Sequence, residues 1–269
     1  MKKRLSKEEY AKRMKEQRNH LYALSNEQLT TIVSEPHKFT AFLSLMASIN
    51  YTVNNSLLVY GQRPYAKELK SLEKWSEIDV RVNKGEKGIQ ILEPSGNFTR
   101  KDGSTGTSYA IRYVYDISQT DCDKSNRKAV DLDTLRKALV DDDVPIVTGT
   151  DISQLAPVEY DEVNHQMNVL EGISDEEEIN GLFKAYAYKE GIGSIDHSKL
   201  DFLATCAGYM LSIRFNTNNY NTYPFTGIME RYFRNMNEQD IRNELNMIYK
   251  IYKPVKDKIS YGIYRMGQS

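Results

Sequence analysis

Between Asn50 and Pro94 the chain gathers the side-chain types that grip a polyanion and stack on bases. Asn54 and Asn55 open an apolar helical turn that carries Leu57, Leu58 and Tyr60. Gln62, Arg63 and Pro64 form its exit, with Tyr65 beside them, and Trp75, the only tryptophan, follows. Arg81 then precedes Lys84-Gly85-Glu86-Lys87-Gly88, which feeds the strand-like Ile89 to Leu92. Glycine permits close backbone approach, so Gly85 and Gly88 would let N–H groups and the Lys84 and Lys87 ammonium groups meet one phosphate together. The same five residues also make a solvated turn before a strand.

Other chemistries find no residues. His20, His37, His165 and His197 contain no i, i+4 pair, and no Ser-His-Asp, Cys-His or glycine-rich nucleotide motif is recognisable. Asp141 to Asp143 lack the alternate oxygen spacing and loop glycine of a calcium site and read as a solvated helix end. His165 and His197, near Asp161, Glu162, Asp196 and Asp201, sit in polar, loop-like surroundings where a surface role is preferred to metal binding. Cys122 and Cys206 are far apart and read as reduced thiols. No catalytic residue, metal or cofactor is expected.

The elements that must position the window follow from pattern. Ser6 with Glu9 forms a capping box for a charge-rich helix to His20, whose Lys7, Lys12, Arg13, Lys15 and Arg18 give it a basic face. A second helix is expected after Ser25, and a third from His37 to Ile49, where Phe39, Phe42, Leu43 and Met46 recur at helical spacing. Ala66 to Ile78 reads as a helix carrying Leu69, Leu72 and a buried Trp75, which leaves Tyr60 and Tyr65 as the stacking candidates. Gly96 to Ser108 reads as a long hairpin loop between two strands. On the second strand Tyr109, Ile111, Tyr113 and Tyr115 share one face, either a base platform or, as preferred here, the inner face against the helices. Beyond it, a helix is expected at 132–140, strands at 145–147, 158–163 and 167–170, and helices at 174–190, 198–215, 224–235 and 238–252.

The net charge of −1 conceals an asymmetry. Residues 1–128 hold 22 Lys and Arg against 15 Asp and Glu, whereas residues 129–269 hold 14 against 22. A boundary near Asn126 to Asp131 is expected, with polyanion binding in the first half. No run of about 18 apolar residues and no signal peptide is seen, so a soluble, cytoplasmic chain without membrane contact is expected.

One stretch carries a resemblance. Tyr51 to Asn55 with Leu57 and Leu58, then Gln62, Pro64, Ala66 and Trp75, then Val82 to Ile89, and finally Tyr115 to Thr120 resemble the N-terminal domain of the ArdC antirestriction and LtrC-like family of conjugative plasmids and transposons. The resemblance implies single-stranded DNA binding without strong sequence preference. It also implies a second, zinc-peptidase-like domain bearing His-Glu-x-x-His. Here Lys184, Ala185 and Tyr188 stand at that motif's positions and Thr205 at the third ligand's, which implies a degenerate, non-enzymatic domain.

The expected architecture is α+β, with N-terminal helices on a small antiparallel sheet (1–128) and a mostly helical, zincin-like C-terminal domain with a few short strands (129–269). The expected DNA-binding residues are Asn54, Asn55, Tyr60, Gln62, Arg63, Tyr65, Arg81, Lys84 and Lys87. The expected partners are single-stranded DNA and, as the alternative, conjugation or restriction proteins docking on the second half, the oligomeric state being unassigned.

Overall fold

A computed structural model describes residues 6–122, 129–140, 143–150, 156–217 and 225–268. Asp141, Asp142, Pro224 and residues 126–128 of the expected boundary lie outside them. The chain divides into two compact units, residues 1–126 apart from 46–48, and residues 127–269 with 46–48.

The first unit opens with α1 (Lys7–Ile32), α2 (Pro36–Ile49) and α3 (Val53–Gln62). The capping box at Ser6 forms as expected: Glu9 N–H donates to Ser6 Oγ and Ser6 N–H donates to Glu9. The helix break expected after Ser25 does not occur, because Ser25 is buried inside a continuous α1 with Leu21, Leu29 and Ile32. Gly61 of α3 allows a close helix crossing, since a Cβ there would lie 2.8 Å from Leu24 Cδ1.

β1 (Leu69–Lys70), β2 (Ile89–Thr99) and β3 (Thr105–Asp116) form an antiparallel sheet in the order β1-β3-β2. The helix expected over 66–78 is split. Leu69 and Lys70 pair with Asp116 and Tyr115 of β3, and Ser71, accepting from Lys74 N–H, starts only the short α4 (Leu72–Ser76). Trp75 is buried as expected, its Nε1–H donating to Tyr115 O at 2.9 Å. The expected long loop is also mostly strand, since Asn97, Phe98 and Thr99 pair with Thr107, Gly106 and Thr105, leaving a tight turn with Gly103 at φ 81°. Ile89, Ile91 and Val114 share the inner face with Leu45, Ile49, Val59 and Ala66. Burying such side chains, worth ~1.5–3 kcal/mol each, holds the sheet on its helices.

The second unit contains α5 (Leu132–Leu139), β4 (Ile146–Gly149), β5 (Val158–Asp161), β6 (Gln166–Leu170), α6 (Asp175–Gly191), α7 (His197–Phe215), α8 (Ile228–Tyr232) and α9 (Glu238–Met266). β6 is the central strand, parallel to β4 and antiparallel to β5. The side chains of Leu182, Phe183, Leu203, Ala207, Leu245 and Ile248 are fully enclosed. Arg136 of α5 binds Glu178 of α6 through two bonds of 2.9 Å and Asp175 through one of 2.9 Å, and these bonds raise its pKa. α9 runs well beyond the expected end at Tyr252 because Pro254 lies on its exposed side with Lys250, where the carbonyl that loses its N–H partner can face water. The α+β class expected from sequence is the one the chain adopts.

Candidate nucleic-acid interface

The loop of interest is held from below by Gln119, whose side chain is 1% exposed. Gln119 Nε2 donates to Lys87 O at 2.9 Å and to Glu86 Oε2 at 2.8 Å, and Asn83 Nδ2 donates to Thr120 O at 3.0 Å. Gly85 takes φ 95°, a left-handed conformation that favours glycine. Gly88 passes beneath two rings, since a Cβ there would lie 3.1 Å from Tyr113 Cβ and 3.2 Å from Tyr115 Cζ. This anchoring leaves the Lys84 and Lys87 side chains exposed, with no carboxylate partner among the described residues, and Arg81 is exposed in the same way.

Arg63 is fixed at the rim by a different set of contacts. Asp116, 1% exposed, accepts from the N–H groups of Lys67 (2.7 Å) and Glu68 (3.1 Å) through Oδ1. Its Oδ2 accepts from Ser118 N–H at 3.1 Å and from the Ser118 hydroxyl, and lies 3.8 Å from Arg63 Nε. Arg63 in turn donates to Ser118 Oγ from Nε at 3.2 Å and from Nη2 at 2.9 Å. The result is a groove of about 1010 Å³ lined by Gln62, Arg63, Lys87, Gly88, Gln90, Tyr113 and Tyr115, with Glu86 among them.

The tyrosine face of β3 was expected to point inward, and it points outward. Val114, directly opposite Ile89, takes the core side, so Tyr113 and Tyr115 fall on the other face; Tyr113 is 48% exposed. Its hydroxyl accepts from Gln90 Nε2 at 3.1 Å, which steadies the ring. Alternation reveals that two faces exist but carries no mark of which one the helices cover.

Three expected contact residues make bonds within the protein, and one of them, Gln62, is exposed and also lines the groove. Asn55, 8% exposed, donates from Nδ2 to Leu92 O and accepts at Oδ1 from Leu92 N–H, both at 3.0 Å. Two helical turns later Gln62 repeats the arrangement at Gln90, accepting from its N–H and donating to its carbonyl, both at 2.9 Å. Together they cap the outer edge of β2 at alternate residues, in the manner of a missing neighbour strand. Tyr60 packs edge-on against Phe42, ring centroids 5.6 Å apart, and donates to Lys38 O at 3.4 Å; burial pushes its phenol pKa up. Asn54 is exposed on α3, and Tyr65 is 82% exposed at its exit, the orientation a stacking residue needs. The site also brings in residues outside the expected set: Tyr113 and Tyr115, whose face the sequence offered as a base platform or as the inner face, and Asp116 and Gln119, which lie within the matching stretch Tyr115 to Thr120.

In the second unit, Lys184, Ala185, Tyr188 and Thr205 do come together, around Asp201. They line two adjoining cavities of about 240 and 360 Å³ between α6, α7 and the start of β5. Lys184 Nζ lies 2.7 Å from Asp201 Oδ1, while Thr205 Oγ1 donates to Asp201 O at 2.7 Å. The Tyr188 hydroxyl donates to Glu162 Oε1 at 3.2 Å and lies 3.1 Å from His197 Nε2. Burial, then the Glu162 carboxylate, pushes the Tyr188 pKa up to about 12. These residues do not fit the zinc that the resemblance implies. The ammonium of Lys184 repels a divalent cation and takes up the Asp201 carboxylate. Among the described residues no group of three or more His, Cys, Asp or Glu could hold a metal ion.

No protein-family model matches the chain, and no curated protein matches it. Solved structures do. The antirestriction protein ArdC from plasmid R388 superposes in its metal-free crystal structure with TM-score 0.55 at 14% identity, over 88% of this chain and 98% of that one. Its Mn(II)-bound crystal structure gives TM-score 0.57 at 13% identity, over the same 88% and 98%. Over that 88% of its length, this protein has the fold of the ArdC antirestriction protein.

Proposed function

We propose that this chain binds single-stranded DNA without strong sequence preference and serves a mobile, conjugative element, in an antirestriction or strand-protecting role. The observation that carries the reading is the groove of the first unit, where Arg63 and Lys87 stand beside the outward rings of Tyr113 and Tyr115. Cations track the phosphates, and rings stack on bases irrespective of sequence. Lys84 and Arg81 extend the basic rim, Tyr65 offers a further ring, and Asn54 lies exposed on α3. Asn55, Gln62 and Tyr60 act indirectly, by holding the sheet and helices in place. The likeness to an antirestriction protein of a plasmid supports the biological setting.

The second unit is read as non-catalytic, its centre taken by the Lys184–Asp201 pair. A second reading, a docking module for conjugation or restriction proteins, is favoured by the acidic balance of residues 129–269. Exchange of Tyr113 to Ala together with Lys84 and Lys87 to Ala in the full chain separates the two. The first reading expects loss of single-strand affinity by about 100-fold, from one stacked base and two phosphate contacts. Unchanged affinity in the folded variant refutes it.

A further inference from the structure

The first unit carries another groove, of about 730 Å³, between the N-terminal part of α1 and the hairpin arm of β2 and β3. Tyr10, Met14, Arg18 and Tyr22 recur every four residues along one side of α1 and form one wall. Phe98, Ala110 and Arg112 contribute to the other. Three of these rings are open to solvent: Tyr10 is 57%, Tyr22 47% and Phe98 49% exposed. Phe98 is also preorganised. It lies across the backbone of Gly106, where a Cβ would come within 2.6 Å of the ring, and Arg100 stands 5.7 Å from its centroid.

From Lys7 to His20 no residue of α1 is buried, and only Met14, Gln17 and Arg18 are partly covered, so the Tyr10 ring stands largely open. A helical stretch of that length draws little stability from its own hydrogen bonds and gains from a surface laid against it. The charges nearby select the occupant. Lys7, Lys12, Arg13, Lys15 and Arg18 outnumber Glu8, Glu9 and Glu16 on this part of α1, and Glu9 is already bound in the capping box. Across the groove stands Arg112, its Nε 3.7 Å from Glu93 in an exposed pair that a phosphate can join or displace, and at the tip of the arm stand Arg100 and Lys101 with Asp102. Open rings interleaved with arginines on both walls fit a stacked, anionic strand better than an acidic surface or a hydrophobic peptide.

We propose that this groove is a second single-strand subsite, in which Tyr10, Tyr22 and Phe98 stack on bases while Arg18 and Arg112 hold phosphates. It rests on the function proposed above. Both grooves border the same strand, β3, with Ser108 and Tyr115 roughly 23 Å apart at about 3.3 Å per residue.

The test is a length series of labelled oligothymidylates, about 6 and about 20 nucleotides long, against the full chain and the Tyr10→Ala/Tyr22→Ala double variant. The substituted residues are exposed, so folding is unaffected and is checked by circular dichroism. The expected result is at least about tenfold tighter binding of the longer strand by the parent chain, with the gain lost in the variant and short-strand affinity unchanged. A length gain that survives in the variant overturns this subsite while leaving the first groove standing. So does photocrosslinking of iodouracil-substituted 20-mers that labels peptides containing Tyr65 or Tyr113 and none containing Tyr10, Tyr22 or Phe98. Absence of binding at either length overturns both proposals together.

Discussion

Replacing Asn55 by Ala tests whether this amide holds the sheet or touches a ligand. The side chain is 8% exposed and makes two bonds of 3.0 Å to the backbone of Leu92, one as donor and one as acceptor. Each such bond contributes about 0.5–1.5 kcal/mol net, and Leu92 is only half-buried, so water replaces part of what is lost. The expected destabilisation is about 2 kcal/mol. Because the chain has two compact units, the sharper assay is amide hydrogen exchange, which reads each one locally. Protection of the Leu92 N–H should fall by roughly 30-fold, the equivalent of 2 kcal/mol, while amides of α9 keep theirs. Asn55→Asp should be at least as damaging, since it keeps an acceptor for Leu92 N–H but sets a carboxylate against Leu92 O. Single-strand affinity of the folded protein should stay within about twofold for Asn55→Ala. A variant with parental stability and Leu92 protection but greatly weakened DNA binding would refute the reasoning.

Three further outcomes follow from the second unit. Glu244, 4% exposed, accepts from Lys199 Nζ at 2.6 Å and from the Tyr232 hydroxyl at 2.5 Å, whereas the Lys199 side chain is 40% exposed. Lys199→Met, which strands the buried carboxylate, should therefore cost about 3 kcal/mol in urea unfolding and more than Glu244→Gln; the reverse order contradicts the burial argument. Tyr188, with its pKa raised to about 12, contributes stability that is complete below the unfolded value near 10 and is lost as pH rises through 12. In Tyr188→Phe the alkaline decline over that range should become shallower, and an unchanged pH profile of melting temperature counts against it. Calorimetric titration with Mn(II) should show no stoichiometric binding, because Lys184 stands beside Asp201; one tightly held ion per chain overturns that reading.

Local rules carried much of the fold. Ser6 with Glu9 announced α1, and the apolar periodicity of Phe39 to Ile49 announced α2, because caps and helical spacing depend only on near neighbours. What failed depended on distant partners. Leu69 and Lys70 leave the expected helix because β3 offers a pairing edge, and α9 passes Pro254 because that residue faces solvent. At the site, the basic loop and Tyr65 were recognisable as exposed polar and aromatic residues flanked by turn formers. Asn55 and Gln62 stand out in the sequence, but their match to alternate backbone groups of β2 exists only after folding. The outward face of Tyr113 was likewise undecidable until Val114 was seen in the core.

The central claim is tested most directly by fluorescence anisotropy of one labelled mixed-sequence oligonucleotide, single-stranded and then duplex, titrated with the full chain at low and at physiological salt. The account predicts tighter binding of the single strand, with affinity falling as salt rises because phosphate contacts release counterions. Binding to neither form at low salt, or equal binding to both without salt dependence, would contradict it.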